Sequence, residues 1–162
     1  MKRAVTVTVA LAVAAAIGVM AQGKTNFSGT WKRDASRSDA PQMGRGGRGG
    51  EMGDVTLTVT QTAAELTSER KMGEMSQKNV YKLDGSESVN AGMRGGEVKS
   101  KAKWDGANLV IESTQTMSGA QGEMTITSKE VWSLGTDGSL TITTTRTTPR
   151  GDMTTKTVYT KS

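Results

Sequence analysis

The chain of 162 residues contains no cysteine and no histidine. Without cysteine it can form no disulfide, no thiolate nucleophile, no thiolate metal site and no lipid attachment through an N-terminal cysteine. Without histidine, the Ser-His-Asp and Cys-His devices for activating a nucleophile cannot be built, and neither can the usual zinc sites. Carboxylate pairs could still do general acid and base work, yet no recognisable constellation of that kind stands out. An enzyme is therefore not expected, and no cofactor or metal is implied. Proline is scarce, at two residues, and the aromatics amount to three tryptophans, two tyrosines and one phenylalanine. So few bulky side chains can fill only a small core, and each should matter to it.

Long apolar runs are also missing, except at the start. Lys2 and Arg3 precede an apolar stretch from Ala4 to Met20, with small residues near Ala21 and Gly23. This is the pattern of a secretory signal cleaved near Ala21. A membrane anchor is the rival reading, but the run is Ala-rich, interrupted by threonine and short for a span. Residues 1–21 are read as a signal peptide and 22–162 as a single domain, placed in the periplasm or secreted, with no membrane span in its mature form. Formal charge is +5, or +3 once Lys2 and Arg3 are removed. That modest excess favours solubility and does not specify nucleic acid.

What is present is threonine, valine and period-two alternation. Val55, Leu57 and Val59 alternate with Thr56, Thr58 and Thr60, the mark of a strand with one buried face. Further strands are expected from near Gly29, over 66–70, 77–83, 98–104, 108–116, 123–134, 139–146 and 153–161. Asp84-Gly85, Asp105-Gly106 and Asp137-Gly138 fall between such runs, and Asp-Gly admits the positive φ of tight hairpins. An antiparallel meander follows. A weak repeat supports it: Lys-x-x-Trp, Asp-Gly, Leu-x-Ile occurs over Lys101 to Ile111 and again, with a longer turn, over Lys129 to Ile142. Residues 34–53 differ, being rich in Gly, Arg, Ser and Asp, and cannot bury enough apolar surface to offset their ordering entropy. A flexible loop is expected there. With no helix to cover a face, the sheet removes its edges by closing into a small barrel of about eight to ten strands. An open sandwich is the alternative.

Phe27-Ser28-Gly29-Thr30-Trp31-Lys32 resembles the first strand of lipocalins and fatty-acid-binding proteins, which carries Gly-x-Trp. Asp137-Gly138-Ser139-Leu140-Thr141-Ile142 and Lys156-Thr157-Val158-Tyr159-Thr160-Lys161 are similar to the last two strands of the fatty-acid-binding branch. The chain also looks like small exported bacterial lipocalin-like proteins of uncharacterised function. The resemblance implies a calycin-like barrel whose first and last strands meet, with Trp31 at its closed end. It also implies the binding of a small apolar or amphipathic molecule by a monomer. Two departures qualify it. The Arg-x-Tyr anchor of the fatty-acid-binding branch is reduced to Thr157-Val158-Tyr159, and the paired lid helices give way to the 34–53 loop.

Alternation places Arg146 on one face with Leu140 and Ile142, and Glu130 with Met124, Ile126 and Trp132. These positions give a candidate ligand-binding set of Arg146, Tyr159, Glu130, Trp132, Met124 and Ile142, in which Arg146 and Tyr159 would hold an anionic group. The competing reading puts Arg146 at the rim, reaching water along its apolar stem. Trp31, Trp104 and Trp132 are read as core rather than as a stacking surface. Two Arg-Gly-Gly copies at Arg45 and Arg48 lack the interleaved aromatics of a nucleic-acid site, so no nucleic-acid partner is expected. Lys99, Lys101 and Lys103 form a basic outer stripe. The function expected is ligand carriage; the alternative is an envelope interaction or inhibitor protein acting through its loops and outer face, without a cavity.

Overall fold

In a computed structural model, described over residues 24–40, 54–92, 96–119, 122–148 and 151–162, the chain forms ten antiparallel strands and, among those residues, no helix. They are β1 (Gly29–Asp34), β2 (Val55–Gln61), β3 (Glu65–Met72), β4 (Met75–Lys82), β5 (Glu87–Ala91), β6 (Glu97–Asp105), β7 (Asn108–Gly119), β8 (Gly122–Leu134), β9 (Leu140–Thr148) and β10 (Gly151–Lys161). Their order in the sheet is β4-β3-β2-β1-β10-β9-β8-β7-β6-β5. The first and last strands therefore meet in the middle of the sheet. Trp31 lies opposite Lys161 and Arg33 opposite Tyr159, as the resemblance of the terminal strands implies. The expected signal peptide and most of the 34–53 loop lie outside the described residues.

Alternation selects the inner face. Leu57 and Val59 on β2, Leu66 on β3, Leu109 and Ile111 on β7, Trp132 on β8, and Leu140 and Ile142 on β9 are all buried. Their partners across the pleat are mostly threonine, lysine and glutamate facing outward. The large residues gather at one end. Phe27 is fully buried there, stacked on Trp104 at 6.0 Å and edge-on to Trp132 at 5.9 Å. The two tryptophans of the internal repeat thus grip one phenylalanine. Trp31 donates its indole N–H to the Phe27 carbonyl at 3.0 Å. Gln61 holds the incoming segment with both ends of its amide, accepting from Phe27 N and donating to the Thr25 carbonyl. This end is closed. Gly29, at φ 144°, allows the approach of Lys161, whose Cε would stand 3.0 Å from any added Cβ.

β5 was not anticipated from the sequence. Its inward positions are Ser88 and Asn90, so it lacks the apolar alternation that marks the other strands. β4 and β5 are the two ends of the sheet, and side chains rather than a backbone ladder join them. Asn90 accepts from Val80 N at 2.8 Å and donates to Val80 O at 3.0 Å, while Ser88 Oγ accepts from Lys82 N at 2.9 Å. Asp84-Gly85 therefore turns the chain without starting a backbone-paired hairpin. Above this seam, a groove of about 300 Å³ runs between Met72, Met75 and Gln77 on one side and Ala91 and Gly92 on the other.

The opening residues of the Gly/Arg-rich stretch are tied to β10. Ser38 Oγ accepts from Val158 N, and Asp39 accepts from Lys156 N while donating its own N–H to the Lys156 carbonyl. Arg37 pairs with Asp137 at 2.9 Å, joining this segment to the β8–β9 turn. No helix of the described residues is long and apolar enough to cross a membrane.

Candidate functional site

The inside of the barrel has three levels. Phe27, Trp31, Trp104, Trp132, Leu66, Leu83, Leu109 and Leu140 fill the closed end. Methionines occupy inward positions at the strand ends around the opposite mouth: Met72 on β3, Met75 on β4, Met117 on β7, Met124 on β8 and Met153 on β10. Met75, Met124 and Met153 are exposed there. Between these levels the wall turns polar. Ser68 and Arg70 project from β3, Asn79 and Tyr81 from β4, Ser100 and Ser113 from β6 and β7, Glu130 from β8 and Tyr159 from β10.

Arg70 is the centre of that polar level. It follows Leu66 and Ser68 at inward positions, so the same alternation that buries Leu66 carries a guanidinium into the barrel. The side chain is enclosed by the walls yet keeps part of its surface accessible. Burial alone would make its charge easier to lose. Tyr159, then Glu130 and Tyr81, outweigh that effect, and Arg70 holds its proton more tightly than usual. Tyr159 is the side chain that acts most strongly on Arg70, whose Nε is buried with no partner. Tyr81 is pushed well above the ordinary tyrosine value, first by burial and then by the negative charge of Glu130. Glu130 accepts from the Trp132 indole N–H at 2.9 Å. The ion pairs among the described residues all lie on the outside, and none joins Arg70 to Glu130.

The sequence-based set divides cleanly. Tyr159, Glu130, Trp132 and Ile142 come together inside, with Trp132 directly opposite Ile142. Met124 and Arg146 do not join them. Met124 sits at the mouth, 44% exposed, and Arg146, opposite Met153, is exposed near the same end, the rim position of the competing reading. The arginine that reaches Tyr159 is Arg70, with Tyr81 beside it. Neither was singled out from the sequence, although the alternation Leu66, Ser68, Arg70, Met72 carried the signal. The basic stripe faces outward, where Lys99, Lys101 and Lys129 line an exterior groove of about 680 Å³ with Glu87 and Glu112. Among the described residues no cluster of acidic side chains could hold a metal ion.

Ten antiparallel strands around a partly polar lumen define a calycin-like barrel. No protein-family model matches the chain, and neither does any curated protein sequence. Solved structures do. The zebrafish ileal bile acid-binding protein complexed with cholic acid superposes with a TM-score of 0.59 at 14% identity, covering 84% of this chain and 98% of that one. A secretary abundant heat soluble protein from Ramazzottius varieornatus gives 0.60 at 19% identity over 84% and 95%. The REP1-NXSQ fatty acid transporter gives 0.58 at 13% over 83% and 95%. At these identities the likeness establishes the fold.

Proposed function

We propose that this protein binds a small amphipathic molecule inside its barrel, with the polar end at Arg70, Tyr81 and Tyr159 and the apolar part passing up through the methionine mouth. The observation that carries the reading is Arg70, a cation on an inward position of β3 whose Nε is buried without a partner. An unpaired buried donor is costly, and a ligand oxygen would remove that cost. The methionines suit an apolar chain of variable shape, because their side chains are flexible and polarizable. The solved neighbours named for bile acid binding and fatty acid transport support the same class of ligand and a non-enzymatic role.

Isothermal titration with a ten-carbon amphiphile tests this. Binding at micromolar concentrations by the wild type, and its loss in Arg70→Met, is the expected result. Equal binding by both proteins would refute the assignment. The exterior groove of Lys99, Lys101 and Lys129 favours a second reading, an interaction protein acting through its outer face. In that case Lys99→Glu, and not Arg70→Met, would abolish function. Export is part of the proposal, on the strength of the Lys2 to Gly23 signal pattern. N-terminal sequencing of the protein from its host, expected to begin near Gln22, is its test.

A further inference from the structure

Arg70 does not stand alone in the lumen, and its counter-charge alters what the site can hold. β3 and β8 are five places apart in a ring of ten strands, so Arg70 and Glu130 face each other across the barrel. They act on one another through space, without forming an ion pair. Each keeps an unused group. Arg70 Nε has no partner, and Glu130 uses Oε2 for Trp132 while Oε1 makes no hydrogen bond to the described residues.

Building on the lumen-binding reading, we propose that the head group taken by this site is uncharged and carries both an acceptor and a donor, as a primary amide does, and is not a free carboxylate. The acceptor meets Arg70 and the donor meets Glu130, so one head group spans the two charges. A carboxylate would satisfy Arg70 but place a second negative charge in the same low-dielectric space as Glu130, with no donor to offer it. An amide adds no net charge and leaves neither Arg70 Nε nor Glu130 Oε1 unpaired.

The test is isothermal titration of the purified protein with decanamide and with decanoate, which share a chain length and differ at the head. The wild type is expected to bind decanamide at least about tenfold more tightly, equivalent to roughly 1.4 kcal/mol or one charged hydrogen bond. Glu130→Gln keeps an amide oxygen for Trp132 and removes the negative charge. In that variant the order is expected to reverse, with decanoate gaining tenfold or more, and circular dichroism checks that the barrel is intact. Wild-type protein that prefers decanoate, or a preference unmoved by Glu130→Gln, overturns the inference while leaving lumen binding in place. Failure of both compounds to bind either protein overturns the lumen reading itself.

Discussion

Asn90 makes two of the three side-chain bonds that join β4 to β5, and replacing it by alanine measures their share of the closure. Its amide makes two hydrogen bonds to Val80, at 2.8 and 3.0 Å, which take the place of backbone pairing between β4 and β5. Each bond contributes about 0.5–1.5 kcal/mol, and Val80 lies partly exposed, where water can replace a lost partner, so Asn90→Ala should cost about 1–2 kcal/mol. Urea unfolding measures the total. Amide hydrogen exchange locates it: Val80 should lose protection by about tenfold for each 1.4 kcal/mol, while Tyr81, whose backbone faces β3, should change far less. Ser88→Ala offers an internal control, since it should free Lys82 and leave Val80 protected. Unchanged exchange at Val80 in Asn90→Ala would refute the idea that side chains hold the seam.

Phe27→Ala removes the ring between Trp104 and Trp132 and should destabilise the barrel by about 3–5 kcal/mol in urea, with a change in tryptophan emission; a cost below about 1 kcal/mol would mean that the closed end repacks freely. Tyr81 has a raised value in the fold, so its contribution is complete below the unfolded value of about 10 and is lost as pH climbs towards the folded one. Absorbance at 295 nm should show Tyr81 ionising only as the barrel unfolds, and Tyr81→Phe should remove that late step. Asp137 shows the opposite sign. Hydrogen bonds from Ser139 and then Arg37 hold its carboxyl down at about 2, so its contribution is present above the unfolded value of about 3.9 and disappears as pH falls through about 2. Thermal melts of wild type and Asp137→Asn should therefore converge as the pH approaches 2.

Alternation of apolar and polar residues is a local property, because successive side chains on a strand point to opposite faces whatever else the chain does. For that reason the all-β class, the strands other than β5, and the turns at Asp105-Gly106 and Asp137-Gly138 could be read directly. The meeting of Trp31 and Tyr159 tracts followed from the resemblance at the two ends, and the register of β1 against β10 agrees. β5 escaped because its inward residues are serine and asparagine, chosen to bond to a neighbouring edge and not to fill a core.

The polar site was only half legible. Tyr159, Glu130, Trp132 and Ile142 were found because they sit among apolar residues on strongly patterned strands. Arg70 was missed because it lies on Leu66-Thr67-Ser68-Glu69-Arg70-Lys71, where charged residues occupy both faces and a guanidinium ordinarily belongs to the solvent side. Arg146 raised the reverse problem: its alternation was correct, but its strand runs on to the mouth, where an inward position is already wet. Alternation along each strand was enough to settle which faces turn inward. Which inward positions are deep, which are at the rim and which charges confront one another depends on strand length and on what stands opposite, and those arise only when ten strands close around a common axis.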